Sequence, residues 1–276
     1  MAGRRGENGG GGKPPPPLRP FGPALPPSAG AAAPATPPPG SRGAKKAASR
    51  LDIVYEDDFC IVVNKPAGLA VQGGKGVGAS LDAILAALRA DRPLLVHRLD
   101  RDTSGLVLAA KGRRAAADFS ALFRAGASGG AVKSYTAVCA GIPERRAGTI
   151  RLDIEARGSA KMAETRYRVA EEFGCGQAAH FGMAGGFALL ELELGTGRMH
   201  QIRRHLAMIG CPVLGDDKYG DFALNRALRK SAGLRGLLLH ASRLEVPRAP
   251  GGSRLDVRAP LPERFARFLE AARVGG

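Results

Sequence analysis

The chain has 276 residues, with 41 Lys and Arg against 25 Asp and Glu, a formal net charge of +16 and a pI of about 10.4. This charge favours polyanionic partners, above all RNA or DNA phosphates. The chain has no apolar run of roughly 18 residues that would span a bilayer, and its N-terminus lacks the apolar core of a secretory signal. Cys60, Cys139, Cys175 and Cys211 form no CxxC pair, which points away from a zinc site or disulfide framework and towards reduced thiols in a cytoplasmic protein.

Residues 1–50 hold 12 of the 20 prolines, with eight Lys and Arg against one Glu. Such a segment has too little apolar surface to offset its ordering entropy, so it reads as a disordered Pro/Gly-rich basic tail. Residues 51–276 are left as one sizeable domain. Leu51–Glu56 and Cys60–Lys65 read as a hairpin about the Asp57-Asp58 turn. Pro66-Ala67-Gly68 breaks the ladder, and Gln72 to Gly78 is a glycine loop. Gly68 and Gly73 have P-loop spacing, but Gly74 stands where a P-loop needs Lys, so a nucleotide-phosphate site is set aside. Ser80 caps a helix with Leu81, Ile84, Leu85 and Leu88 on one face.

Next comes His97-Arg98-Leu99-Asp100-Arg101-Asp102-Thr103-Ser104-Gly105, a polar loop running into the apolar strand Leu106–Ala110. A rigid strand behind a polar loop is the usual way to hold reactive side chains. Gly112 to Gly126 reads as a helix with Ala115, Phe119, Leu122 and Phe123 inward. Ala131–Ala140, Thr149–Ile154, Ala163–Val169 and Phe187–Leu194 read as strands. From Thr196-Gly197-Arg198 the chain turns into a helix over about Met199–Ile209, on which Arg198 and His205 share one side and Met199 and Arg203 another. Leu237–Ala241 and Leu255–Val257 are late strands, and Pro262–Arg273 closes as an amphipathic helix with Phe265, Phe268 and Leu269 inward. These are roughly eight strands and four helices without strict βα alternation. They predict an α+β fold, a mixed, largely antiparallel sheet with flanking helices.

Three stretches place polar residues where an element begins or ends: His97–Gly105, Lys133–Tyr135 and Gly195–His205. The last packs three arginines, two histidines and a glutamine between Arg198 and His205. Read without chemistry, it is a basic RNA-facing helix. A metal site fits poorly, because His200 and His205 would lie about 140° apart on a helix with no local carboxylate. A serine hydrolase fits poorly too, because Ser104 lies in Thr-Ser-Gly rather than Gly-x-Ser-x-Gly.

His97-Arg98-Leu99-Asp100-Arg101-Asp102-Thr103-Ser104-Gly105-Leu106 resembles the HRLDxxTSG signature of the RluA-type pseudouridine synthases. Asn64-Lys65-Pro66-Ala67-Gly68, Lys133-Ser134-Tyr135-Thr136-Ala137, Thr196-Gly197-Arg198-Met199-His200-Gln201-Ile202-Arg203, Gly215-Asp216-Asp217-Lys218-Tyr219-Gly220 and Leu239-His240-Ala241 match further motifs of that family in order. The resemblance implies a catalytic domain over 51–276 with a central cleft, which isomerises uridine to pseudouridine in structured RNA without metal or small-molecule cofactor. It makes Asp100 the catalytic carboxylate, Arg203 the cation that keeps it ionised, and Tyr135 the ring that stacks on the target uracil and assists proton removal. Arg98 would fill the gap left by the flipped base, with His97 beside it. Arg101, Lys65, Arg198, His200, Gln201 and Arg204 would complete the RNA surface.

The glycine loop resembles members acting on large-subunit 23S ribosomal RNA, which ranks first as target. The Ile202–His205 ending resembles members acting on transfer RNA, which ranks second. A non-catalytic RNA-binding or ribosome-assembly protein is the alternative from another class. The family and the high charge imply a cytoplasmic monomer without membrane association.

Overall fold

A computed structural model of the protein describes residues 51–73, 79–156, 158–248 and 253–275. The basic tail and residues 74–78 of the glycine loop lie outside the described residues. Ten strands among these form one sheet: β1 (Asp52–Glu56), β2 (Cys60–Lys65), β3 (Leu94–Leu95), β4 (Ser104–Ala110), β5 (Val132–Ala140), β6 (Ala147–Ala156), β7 (Ser159–Phe173), β8 (Phe187–Leu194), β9 (Leu239–Pro247) and β10 (Arg254–Arg258). The main path runs β1-β2-β4-β9-β5-β8-β7-β6, with β3 on β4 and β10 on β9. Every pairing is antiparallel except β4 with β9.

Among the described residues six helices flank the sheet: α1 (Leu81–Leu88), α2 (Arg113–Ala125), α3 (Cys175–His180), α4 (Gln201–Met208), α5 (Phe222–Ser231) and α6 (Glu263–Val274). The mixed, largely antiparallel α+β architecture is the one expected. The Ser80 hydroxyl accepts from the Ala83 amide at the start of α1, and Leu81, Ile84 and Leu85 are buried. Phe119, Leu122 and Phe123 of α2 are only partly covered, packed on the cluster of Val62, Leu106, Leu108 and Val246. Phe265, Phe268 and Leu269 of α6 pack with Phe173, Phe181 and Phe187 on the face away from the cleft.

Period 2 along β5 sends Tyr135, Ala137 and Cys139 to one core and Val138 to another. The first core, with Val107, Leu190, Leu192, Ile202 and Leu206, is the floor beneath the cleft. No helix among the described residues is long and apolar enough to cross a membrane.

Some boundaries differ from the sequence pattern. The β6/β7 hairpin is longer than its alternation suggests, because Glu155, Ala160, Lys161 and Met162 keep extended pairing where both faces meet solvent. Helix α4 begins at Gln201, since His200 holds a left-handed backbone with φ +54°. Arg198 and Met199 therefore precede the helix and share no face with His205 or Arg203. Helices α3 and α5 were not expected. The first is only six residues long, and in the second Asp221 caps a helix whose buried residue is Leu228.

Candidate active site

Asp100 sits in a loop stitched to its surroundings from below. Lys65 ends β2 opposite Gly105 of β4. Its side chain is fully buried, and its Nζ donates to the carbonyls of Pro66, Leu69 and Arg101 at 3.0, 2.9 and 3.0 Å. The Gly68 amide donates to the Arg101 carbonyl at 2.9 Å, and Arg101 Nε returns a bond to the Gly68 carbonyl at 3.0 Å. Burial lowers the Lys65 pKa to about 8, against the pull of the Asp102 and Asp100 carboxylates. The ammonium thus ties the 66–69 turn to the loop carrying Asp100 and contributes charge beneath it.

From the other side, β4 is pressed against β9. Gly105 has φ +113°, and a Cβ there would lie 2.2 Å from the Ala241 carbonyl oxygen. Only glycine fits this approach, which pairs Ser104 with His240 and Gly105 with Ala241. Ser104 Oγ and His240 Nδ1 are 3.0 Å apart, both side chains buried. Serine and histidine do meet here, yet neither lines the cleft.

The opposite wall is built by the segment leading into α4. Gln201 is 3% exposed, and its amide is fully used. Its Oε1 accepts from the Thr196 hydroxyl at 2.7 Å and the Arg198 amide at 3.0 Å, and its Nε2 donates to the Glu164 carbonyl and Thr165 Oγ1. Arg203, 4% exposed, grips the fully buried Asp216 through Nε and Nη2 at 2.7 and 2.6 Å, and reaches Asp217 at 3.1 Å. Asp216 also accepts from the Lys218 and Tyr219 amides at 2.9 Å each. Burial opposes its charge, but Arg203 and those amides hold its carboxyl below the usual range. The expected contact of Arg203 with Asp100 is therefore a longer-range one: the guanidinium bonds Asp216 and acts on Asp100 through its field.

Between these walls lies a cleft of about 720 Å³, lined by Asp100, Tyr135, Arg203, His200, Lys133 and Arg98 among others. The Asp100 side chain is 21% exposed, and its closest basic neighbour is His200 Nε2 at 3.8 Å. His200 Nδ1 lies 3.1 Å from the Tyr219 hydroxyl. Burial lowers the His200 pKa despite Asp100, so the ring is neutral near pH 7. The pairing of Nδ1 with the Tyr219 hydroxyl turns Nε2 towards the Asp100 carboxylate. Tyr135 is 5% exposed on the floor. Burial, then the Asp100 charge, push its phenol well above the ordinary value, so it stays protonated.

Residues 59–208 match the RNA pseudouridylate synthase family. A large-subunit pseudouridine synthase C of Rickettsia felis is 35% identical over 234 residues, 79% of this chain and 70% of that protein. The Escherichia coli K12 protein of the same name is 34% identical over 246 residues, covering 83% and 72%. The chain belongs to the RluA-type pseudouridine synthases. Its fold agrees with that of human RNA pseudouridylate synthase domain containing 4, with a TM-score of 0.64 and 28% identity over 83% of this chain and 95% of that one. Human RNA pseudouridylate synthase domain containing 1 shares the fold with a TM-score of 0.61, at 24% identity over 86% of this chain and 97% of that one.

The synthase brings together much of the set expected from sequence. Asp100, Tyr135, Arg203, His97, Arg98, Arg198, His200 and Gln201 all line the cleft. Three residues expected on the RNA surface do not line it. Lys65 is buried under the Asp100 loop. Arg101 is exposed outside, with Nε on Gly68. Arg204 reaches away to the Glu155 carbonyl at 3.0 Å. Two others line it with their polar atoms committed elsewhere. His97 stacks on Phe123 with ring centroids 4.1 Å apart, and its Nε2 accepts the Leu108 amide at 2.9 Å. Burial lowers its pKa to about 3, so the ring is neutral, a support for the loop. Gln201 is the bracing amide described above.

Sequence reasoning about roles missed Asp216, Tyr219 and Lys133. The first two stand in the Gly215–Gly220 motif, where a buried arginine 13 residues away calls for a carboxylate partner. Lys133 is two residues from Tyr135 on a strand, and so on its face.

Proposed function

We propose that this synthase converts a uridine of large-subunit ribosomal RNA to pseudouridine, with Asp100 as the carboxylate that engages the nucleoside. The observation that carries the assignment is the partly exposed Asp100 carboxylate, with only His200 beside it, in a cleft floored by Tyr135 and rimmed by Arg98, Arg198 and Lys133. The reaction breaks the bond from the base nitrogen to the ribose and remakes it from carbon 5, with loss of the carbon-5 proton to a base. Asp100 faces the sugar, and Tyr135 offers its ring face to the uracil. With its phenol held protonated, Tyr135 is a stacking platform first. Once carbon 5 is bonded to the ribose, the Asp100 carboxylate is the acceptor the cleft offers to the carbon-5 proton, and the base nitrogen released from the ribose takes up a proton from water, so that the isomerisation is proton-neutral.

Arg98 is exposed at the cleft rim, a position suited to filling the space left by a base taken out of its helix. Extrusion costs a few kcal/mol in a stem and less in a loop. The ribosomal target is drawn from the names of the relatives, and action on it goes with a cytoplasmic site. The basic segment 1–50 would add sequence-independent affinity for RNA.

Release of tritium from carbon 5 of labelled uridine tests this reading. Unmodified large-subunit ribosomal RNA incubated with the protein is expected to release tritium, and Asp100→Asn to release none while still binding RNA. Release from transfer RNA alone would overturn the target. Release by a folded Asp100→Ala protein would overturn the assignment of the carboxylate.

A further inference from the structure

Lys133 is a cation with no anion. It lies at the start of β5 and lines the cleft wall. Among the described residues it has no ion pair and no side-chain hydrogen bond. Its recorded contact is with the Phe123 ring, whose centroid is 6.0 Å from Nζ. Gly197 leaves room for it, since a Cβ there would lie 3.3 Å from the Lys133 Nζ. Burial lowers the pKa of the amine, with no carboxylate to oppose the shift. Its charge also helps keep His97 neutral. The buried basic side chains of the site are compensated, Lys65 by three carbonyls and Arg203 by Asp216. A half-buried ammonium without a partner is a cost in the free protein, and that arrangement makes sense where an anion arrives with the substrate.

Lys133 and Tyr135 are two residues apart on one strand, so their side chains leave the same face about 6.6 Å apart. That spacing suits a nucleotide whose base rests on Tyr135 and whose backbone phosphate reaches the ammonium. Arg198, exposed on the same cleft wall, has no ion pair among the described residues. We propose that Lys133 is the binding residue for the phosphodiester adjoining the flipped uridine, with Arg198 flanking the same phosphate. This rests on the reading of the cleft as a uridine site.

The test uses two probes and two variants, Lys133→Gln and Lys133→Arg. The first probe is a fluorescent single-stranded 15-mer of uridylate, which can enter the cleft without base flipping. Its affinity is followed by anisotropy across a salt series. The expected result is a slope of log affinity against log salt lowered by about 0.7 in Lys133→Gln, one phosphate contact on a single strand, and restored in Lys133→Arg. An unchanged slope in Lys133→Gln overturns the proposal. The second readout is thermal melting of the free protein. Removing an uncompensated, half-buried charge should leave the melting temperature equal or higher, as for other functional sites that carry a stability cost. A clear drop in melting temperature that Lys133→Arg repairs, with an unchanged salt slope, would make Lys133 a structural residue. Neither readout needs the target RNA, so failure of the ribosomal assignment leaves this test intact.

Discussion

At the scale of single residues, the site is a set of groups whose protonation is set by burial and by one another. Asp100 is left open to the cleft, while His200 is held neutral and aimed at it by Tyr219. Tyr219→Phe removes the hydrogen bond that orients the His200 ring. Loss of one such hydrogen bond is worth roughly 0.5–1.5 kcal/mol. The expected outcome is a 2- to 12-fold fall in single-turnover rate with little change in RNA affinity, read by tritium release at saturating enzyme. An unchanged rate would show that the His200 orientation does not bear on Asp100. Asp100, Tyr135 and Arg203 were singled out by the resemblance to the RluA-type synthases, and the fold sets all three around one cleft. Sequence reasoning misread Lys65 and Gln201 as surface groups, because a polar side chain satisfied by backbone carbonyls and amides looks in sequence like one satisfied by water. Only the fold shows that those partners exist.

At the scale of elements, two contacts position the walls. One is the Arg203–Asp216 pair between α4 and the turn after it. Asp216→Asn would leave the buried guanidinium with only the exposed Asp217 as counter-charge, a loss expected at up to about 3–5 kcal/mol. Urea denaturation of the variant should show a lower midpoint and, in the folded fraction, reduced activity. The other is the close approach at Gly105. Gly105→Ala places a methyl group into the Ala241 carbonyl and forces a positive φ on alanine, at a cost of ~3 kcal/mol or more. A loss of soluble expression or a large fall in melting temperature is the expected observation. The conservative Gly68→Ala, also at positive φ but with open space around it, should cost less.

Most strands were legible from alternation, and α1, α2 and α6 from their apolar faces. The pairing order was not, because the sheet joins residues far apart, as in Ser104 with His240. Helix α4 was placed two residues early, since a left-handed histidine leaves no mark in the apolar pattern. Helix α5 has its cap at Asp221 but one buried side chain, too little periodicity to stand out among charged residues.

At the scale of the molecule, neutral buried histidines couple stability to acidity. Burial lowers His97 to about 3 and His240 to about 4, and moves His200 and His205 in the same direction. Below about pH 6.5 the unfolded chain takes up protons at these rings while the native rings remain neutral. Stability is therefore expected to fall as pH drops from 6.5 towards 4, by up to ~1.4 kcal/mol per pH unit for each of His97 and His240, with His200 and His205 adding in the same direction. Asp216, held low, adds its own loss only near and below the usual carboxylate range. Urea midpoints at pH 7 and pH 5 measure the slope, and a flat profile would contradict the burial of these rings. The basic charge works in the other direction, strengthening RNA binding most at low salt.

The contact of β4 with β9 also bears on the order in which the chain becomes useful during its synthesis. The loop with Asp100 emerges from the ribosome well before Ala241, the residue against which Gly105 must rest. Until then the nascent chain carries arginines that attract RNA but no fixed carboxylate. Long-range pairings of this kind form late, because the chain between them must first be closed. A growing chain can thus hold RNA before it can act on it, and chemistry begins when β9 docks.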